Sequence, residues 1–185
     1  MNILGKLVRL RAVEEEDLPQ LHEWANDPEL WYDLVGWHFP YTMESQRKWF
    51  LSLDADQHNI RLAMETLDGK KLIGTGSLTE IDWKDGRGIA GMMLGERETR
   101  GKGYGTDALM ALVRYAFEEL RFARVNGAII AYNDASLPIG AKFGFKDEGR
   151  RRNWFFRKGR HWDLVETGIT RDDYIAAMAQ TKYWE

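Results

Sequence analysis

The sequence predicts an α+β fold in which a mixed central β-sheet is flanked by helices, and it predicts one domain over residues 1–185. Three observations support this. Period-2 alternation of apolar and polar residues marks several strands, period-3.6 spacing marks several helices, and a glycine-rich turn joins a strand to a long helix. The predicted order is β-α-α-β-β-β-α-β-α-β-β-α, an order typical of α+β proteins. A chain of 185 residues is long enough for one hydrophobic core.

Composition excludes several classes of function. The net charge is −3, so there is no overall basic field of the kind that attracts nucleic acid. Cysteine is absent, which excludes disulfide scaffolds, thiolate zinc sites and cysteine nucleophiles, and we predict no metal site. No run approaches the roughly 18 apolar residues of a membrane span, and the first residues lack the apolar core of a signal peptide. We therefore expect a cytoplasmic protein with no membrane partner.

The N-terminal part is predicted to form a strand and two helices. Alternation over residues 6–13 indicates a strand with one buried face. The acidic residues Glu14 to Asp17 then precede a helix that ends at Asn26-Asp27-Pro28, and their charge favours the positive end of its dipole. Thr42 is expected to cap a second helix.

The rest of the chain alternates between strands and helices. The turn Leu67-Asp68-Gly69-Lys70 indicates a hairpin, and an amphipathic helix follows the glycine-rich turn. Thr170 is expected to cap a terminal helix that runs through Met178. The predicted strands cover residues 61–66, 72–81, 88–95, 125–131, 145 onward and 162–169, and a short helix covers 135–143.

The segment Arg100-Gly101-Lys102-Gly103-Tyr104-Gly105 has the features of an anion site. Its three glycines permit positive φ and leave room for a ligand to approach the backbone. Successive N–H groups can then converge on an anion at the positive end of the following helix, beside the charges of Arg100 and Lys102. The segment predicts a phosphate site, and the alternative is a tight turn without a ligand.

Two nucleotide motifs fit this loop less well. Lys102 is followed by Gly103 and not by Ser or Thr, so the pattern for triphosphates fails. Residues 103–108 read G-x-G-x-x-A, and Asp134 lies where a ribose-binding acid could sit. Antiparallel hairpins precede this loop, however, and only about 50 residues follow Asp134, which is too short for the second half of a dinucleotide-binding fold.

Four ordered segments resemble the GNAT superfamily of N-acetyltransferases, in particular its Rim-type branch of ribosomal-protein N-terminal acetyltransferases. The loop fits the family's R/Q-x-x-G-x-G/A motif, and the other segments follow or precede it in the expected order. They are Leu21–Pro28 (W-x-N-D-P), Asn133–Ser136 with Lys142–Phe145 (N-x-x-S/A…K-x-G-F), and Glu148–Arg150 with Gly159–Asp163 (the "EG…dGryhD" hairpin). Together they span nearly the whole chain.

The resemblance implies the GNAT fold and direct transfer of an acetyl group from acetyl-CoA to a primary amine. Two splayed strands, residues 88–95 and 125–131, would hold the pantetheine arm, and the loop would hold the pyrophosphate. A role in the core is an equally open alternative for Phe143. The implied cofactor contacts are Met93, Leu94, Gly95, Arg100, Gly101, Lys102, Gly103, Tyr104, Gly105, Thr106, Asn133 and Phe143.

The resemblance leaves the proton chemistry open. Many relatives place a proton-donating tyrosine where this chain has Gly140, and Ser136 is the candidate replacement, with helix capping as the alternative. Tyr132 is a further candidate donor. Glu80 is a candidate general base, with an exposed acid as the competing interpretation. Asp163 is a candidate for orienting a histidine or binding the substrate ammonium, with a contact that only holds the hairpin as the alternative. His22, His38 and His161 are weaker candidates.

The acceptor is predicted only as a small amine or a peptide N-terminus, and a homodimer is a family-level expectation. A CoA-binding module without catalysis is the alternative that Gly140 suggests. Residues 150–160 combine six cations with three aromatic residues, which permits binding of single-stranded nucleic acid. We favour the simpler interpretation, a charged hairpin with a buried aromatic face.

Overall fold

The computed structural model describes residues 2–36 and 39–185. The strands are β1 Ile3–Leu4, β2 Val8–Ala12, β3 Ile60–Thr66, β4 Leu72–Asp82, β5 Arg87–Leu94, β6 Arg124–Ile130, β7 Lys146–Arg157 and β8 Arg160–Thr170. The helices are α1 Leu18–Ala25, α2 Pro28–Tyr32, α3 Met43–Ser52, α4 Tyr104–Glu118, α5 Leu137–Lys142 and α6 Arg171–Thr181.

Every predicted helix and strand is present, and two short elements, β1 and α2, were not predicted. The helix α2 begins at Pro28, inside the segment that was interpreted only as the end of α1. The side chain of Asp27 accepts a hydrogen bond from the Glu29 amide, and proline is favourable at the first position of a helix. The segment Asn26-Asp27-Pro28 therefore both ends α1 and starts α2. The predicted caps Thr42 and Thr170 are both confirmed.

The eight strands form one mixed sheet in the order β1-β2-β3-β4-β5-β6-β8-β7. Every neighbouring pair is antiparallel except β5 and β6, which run parallel. This is the mixed sheet that the sequence predicts. None of the described helices has the length and the hydropathy needed to cross a bilayer.

Two apolar clusters cover the two faces of the sheet. The larger one joins α4 to the strands through residues such as Leu10, Ile73 and Leu112, which are fully buried. The smaller one joins α1 and α3 to the opposite face and includes Trp24, Leu21 and Ala63. We refer to these as the α4 face and the α1 face. Strand alternation assigns each β5 side chain to one face, so that Met92 and Leu94 pack on the α4 face and Met93 packs on the α1 face.

A buried ionic network fixes the start of α1 to strands β2 and β3. Arg11 binds both carboxylate oxygens of Asp17, at 2.7 and 2.9 Å, and also contacts Glu65, which accepts a further bond from Arg9. Burial is the largest single influence and would raise the pKa values of Asp17 and Glu65. The hydrogen bonds and charge of Arg11, together with the Glu14 amide at Asp17 and with Arg9 at Glu65, outweigh it in sum, and both pKa values are lowered. Asp17 was predicted only as a favourable charge in the first turn, and it serves mainly as a buried partner of Arg11.

Candidate functional site

Strands β5 and β6 separate after a short stretch of pairing. They are hydrogen-bonded only from Arg87 to Ile89 on β5 and from Arg124 to Asn126 on β6. Beyond that level β5 continues beside β4, and β6 continues beside β8. The β6 side of residues 90–94 therefore has no strand partner, and backbone groups left unpaired in this way require another partner. The predicted splay is present, and it opens toward the glycine-rich loop.

The loop after β5 presents a row of backbone N–H groups that no described carbonyl accepts. Gly101 and Gly103 have φ values of +75° and +88°, and Gly103 is the N-cap residue of α4. The first backbone bond of the helix runs from the Asp107 amide to the Gly103 carbonyl. The amides of residues 101–106 are therefore available to an anion.

The row of free amides begins after Arg100. The Arg100 amide donates to the Arg97 carbonyl at 3.1 Å, so Arg100 cannot contribute its backbone N–H to the row. The side chains of Arg100 and Lys102 are exposed, and neither forms an ion pair with a described residue. A side-chain atom built on Gly101 would meet nothing within 4 Å. Free amides, two uncompensated cations and open space together fit a pyrophosphate group.

The first turn of α4 is anchored by a carboxylate that the sequence analysis did not identify. Asp107 is completely buried, and it accepts hydrogen bonds from the amides of Lys6, Leu7 and Val8 at 2.7 to 3.0 Å. The Tyr183 hydroxyl donates a fourth bond at 2.7 Å, and burial, followed by this hydrogen bond and the charge of Asp107, raises the Tyr183 pKa. An acid in the first turn of a helix resembles an ordinary dipole contact, so only the fold reveals its role.

The end of β5 is packed against the α1 face of the sheet. Gly95 is buried, and a side chain at this position would collide with the Trp24 ring. Trp24 belongs to α1, and its carbonyl accepts a hydrogen bond from the indole of Trp31 at 3.2 Å. Contact of Met93, Leu94 or Gly95 with a cofactor would therefore be made through the backbone, since their side-chain positions are directed into the two clusters.

The end of β6 is attached to the segment that follows α2. The Tyr132 hydroxyl donates to the Tyr32 carbonyl, and the Asn133 side-chain amide donates to the Asp33 carbonyl at 3.2 Å. Burial raises the pKa of Tyr132, and the nearby charge of Asp33 adds to the effect. Asn133 Oδ1 also accepts from the Ser136 amide at 3.2 Å. Asn133 thus connects β6, α5 and the α2 segment, and its contact with a cofactor stays a prediction.

Ser136 and Gly140 lie on the short helix α5. Ser136 occupies the N-cap position, but its hydroxyl forms no capping bond, which removes the competing interpretation of this residue. Gly140 is buried, and a side chain there would begin 3.2 Å from Phe145. Phe143 is 2 % exposed and lies edge-on to Tyr183, with ring centroids 5.1 Å apart. Its packing therefore supports the core interpretation, and not a contact with the cofactor.

The other candidate catalytic residues are not brought together. Glu80 is exposed at a bulge in β4 with φ +50°, close to the level at which β5 and β6 separate. Asp163 accepts the Asn153 amide at 3.0 Å and thereby stabilises a bulge in β7. His22 contacts the Tyr41 carbonyl, and His161 packs on Phe156. His38 and Trp37 lie outside the described residues. Within residues 2–36 and 39–185 no group of three acidic or histidine side chains is arranged to hold a metal ion.

The β7–β8 hairpin brings aromatic and basic side chains to the α1 face beyond the end of β6. Ile130, Phe155 and Leu164 form a third buried cluster there, with Tyr132 and Trp162 at its edge. We call residues 157–160 the hairpin tip. Lys158 lies over the rings of Tyr132 and Tyr32, at 4.9 and 5.6 Å. The expected buried aromatic face is only partly present, since Phe155 is buried whereas Trp154 and Phe156 are 54 % and 60 % exposed.

Comparisons with known proteins give a consistent result. The profile of the acetyltransferase (GNAT) domain matches residues 8–146. An uncharacterized prophage-derived N-acetyltransferase of Bacillus subtilis, YokL, is 28% identical over 92% of this chain and 93% of its own length. The spermidine N(1)-acetyltransferase of Escherichia coli is 27% identical over 91% and 89%. The crystal structure of spermidine N-acetyltransferase from Vibrio cholerae in complex with CoA and spermine has a TM-score of 0.83, 23% identity, and coverage of 91% and 98%.

Proposed function

The chain belongs to the GNAT family and is an acetyl-CoA-dependent N-acetyltransferase, and from this premise we propose that it transfers the acetyl group directly to a primary amine. The observation that carries the proposal is the splay between β5 and β6, which opens beside a row of free loop amides. A thioester with a long amide-bearing arm and a pyrophosphate requires these two features next to each other. The described residues supply both.

The donor would be held mainly by the backbone. Its pyrophosphate would accept hydrogen bonds from the amides of residues 101–106, beside the charges of Arg100 and Lys102. Its pantetheine amides would pair with the free side of residues 90–94, as an added strand would. The reacting thioester would then lie within the splay between β5 and β6. Site contacts of this kind do not depend on side-chain identity.

The acceptor amine would approach from the α1 face, because α4 covers the opposite face of the splay. The amine nitrogen attacks the thioester carbonyl carbon, a C–N bond forms, the C–S bond breaks, and CoA leaves as a thiol. The nitrogen must first lose a proton, and the departing sulfur gains one. Glu80, exposed near the level of the splay, is the candidate that receives the amine proton directly or through water.

Ser136 is the proposed proton donor to the sulfur. It lies three residues beyond Asn133 at the open end of the splay, and its hydroxyl has no partner among the described side chains. Gly140, the position of the usual donor, has no side chain, and Phe145 occupies the space beside it. Asp163 is a weaker candidate for a catalytic role, since its carboxylate is bonded to the Asn153 amide.

The test is a thiol-release assay with acetyl-CoA and a panel of amines. The panel contains spermidine, the acceptor named for the Escherichia coli relative, together with short peptides that have free N-termini. We expect release of CoA that depends on the amine. For Ser136→Ala we expect kcat to fall roughly 100-fold with unchanged affinity for CoA, since general acid catalysis contributes about 100-fold or more. Ser52→Ala, on the exposed end of α3, is the matched control.

Two outcomes would contradict the proposal. Tight binding of acetyl-CoA without turnover on any amine would favour a CoA-binding module that lacks catalysis. An unchanged kcat in Ser136→Ala would remove this residue from the proton path while leaving the reaction itself in place.

A further inference from the structure

We propose that the acceptor of this enzyme is a primary amine that carries a carboxylate, and that the hairpin tip binds this carboxylate. The inference rests on the proposed function and specifies the acceptor further. It differs from the polyamine acceptor named for relatives of this chain. Its basis is the sign of the charge that the hairpin brings to the α1 face beside the splay.

The hairpin concentrates positive charge in a protein whose net charge is negative. Residues 150–160 contain six cations and no acid, whereas the whole chain has a net charge of −3. Two of the six have acidic partners, since Arg151 binds Glu166 at 2.6 Å and Arg150 lies 3.9 Å from Asp147. The remaining four, Arg152, Arg157, Lys158 and Arg160, have no acid within 4 Å in the described part of the chain.

Three of these four cations lie on the face where the acceptor is expected. Phe155 pairs with Trp162, and both belong to the cluster on the α1 face. Alternation along the strands places Arg157 and Arg160 on the same face, and each lies over one of these rings, at 5.6 and 3.5 Å. Lys158 extends over Tyr132, which directly follows the splayed end of β6. Arg151 pairs with Leu164 of the same cluster, so strand alternation directs the next residue, Arg152, to the opposite face.

None of the described acids lies within 4 Å of a charged nitrogen of Arg157, Lys158 or Arg160. Glu166 is compensated by Arg151, whose pKa is raised by that hydrogen bond and by the charges of Glu166 and Glu80. Asp163 is bonded to the Asn153 amide. Asp33 lies close enough to Tyr132 to raise its pKa.

Aromatic contacts keep these cations in place without neutralising them. A ring attracts a cation but carries no net charge, so the positive potential persists. Arg157 is further fixed because its Nη2 donates to the Gly36 carbonyl at 3.3 Å. Preorganised guanidinium groups bind carboxylates well, often with two parallel hydrogen bonds. The same potential repels a polyamine, which carries several positive charges.

The experiment compares kcat/KM for acceptors of matched size and opposite charge. The probes are tetrapeptide amides with N-terminal serine followed by two aspartates, two asparagines or two lysines, together with free glutamate and spermidine. We expect the aspartate peptide to exceed the asparagine peptide at least 10-fold and the lysine peptide by more. We also expect its kcat/KM to fall as salt rises from 50 to 500 mM, because salt screens exposed charges. Comparison of glutamate with the aspartate peptide distinguishes a free amino acid from a peptide as the source of the carboxylate.

Charge reversal at the tip provides the second measurement. Lys158→Glu and Arg160→Glu should each lower kcat/KM for the aspartate peptide at least 10-fold and raise it for the lysine peptide. Arg152→Glu changes the charge of the same hairpin by the same amount on the other face, and it should have less than a 3-fold effect. Affinity for CoA should be unchanged in all three variants.

Each of the possible contrary results would overturn a different part of the proposal. Equal or faster turnover of spermidine or the lysine peptide would overturn the carboxylate proposal and leave the acetyltransferase reaction intact. Equal effects of Arg152→Glu and Lys158→Glu would overturn the role of the tip. Stronger inhibition by a single-stranded oligonucleotide than by the aspartate peptide would assign the tip to nucleic acid. Absence of turnover with every amine would overturn the proposed function as well.

Discussion

The side of the splay that is proposed to bind acetyl-CoA (the donor side) and the side that is proposed to bind the amine (the acceptor side) are formed by different kinds of groups. The donor side consists of backbone: free amides of residues 101–106 and the unpaired side of β5. The acceptor side consists of side chains, namely the aromatic and basic groups that α2 and the β7–β8 hairpin bring to the end of β6. A backbone site needs only glycines and a fixed chain path, so it has a short sequence motif. A side-chain site depends on contacts between distant segments and has none.

The largest expected effect comes from placing a charge in the backbone site. Gly103→Asp should weaken CoA binding about 1000-fold, or about 4 kcal/mol, because its carboxylate would meet the pyrophosphate. Gly103→Asn has nearly the same shape and tolerates positive φ equally well, so it should retain most of the affinity. Titration calorimetry measures both, and circular dichroism verifies the fold. Normal CoA binding by the aspartate variant would show that the phosphate lies elsewhere.

The next largest effect is expected at Asp107, whose carboxylate anchors the first turn of α4 beside the loop amides. Asp107→Ala leaves three amides and the Tyr183 hydroxyl without their acceptor, and it should lower the free energy of unfolding by about 3 kcal/mol. The melting temperature should fall by roughly 10 °C. Asp172→Ala removes an exposed acid from the first turn of α6 and serves as the control, with a change below about 1 kcal/mol. Similar losses in the two variants would mean that the buried network contributes little.

The smallest expected effect is a pH dependence of folding stability that comes from the buried network of Arg11, Asp17 and Glu65. The pKa values of Asp17 and Glu65 are lowered in the folded state, from about 4 in an unfolded chain. Their contribution to stability is therefore complete above pH 4, and it is lost as the pH falls through the folded values. Urea unfolding between pH 6 and pH 2.5 measures this slope. Arg11→Gln should flatten it, whereas Arg47→Gln, which removes an exposed pair with Glu15, should not. Parallel slopes in wild type and Arg11→Gln would contradict the assignment.

The sequence predicted the order of the elements, the mixed sheet and the glycine-rich loop, because all of these follow from local periodicity and turn chemistry. It could not predict α2, because Asp27-Pro28 both ends one helix and caps the next. Asp107 was missed because its four partners come from segments distant in sequence. Phe143 was left between two roles, and only packing against Tyr183 favours the core. Likewise, Arg157 and Lys158 gained meaning only when Gly36, Tyr32 and Tyr132 were found beside them.

The separation of β5 from β6 also affects how the protein tolerates heat. Residues 90–94 form an internal sheet edge without a strand partner. In the proposed complex the ligand takes the place of the missing strand, so that binding would complete the hydrogen bonding of this edge. A ligand that binds only the folded state at 100 times its Kd adds about 2.7 kcal/mol to stability. The melting temperature of this enzyme should therefore report the supply of acetyl-CoA. When acetyl-CoA is scarce in a cell, the enzyme that consumes it would therefore have a lower folding stability.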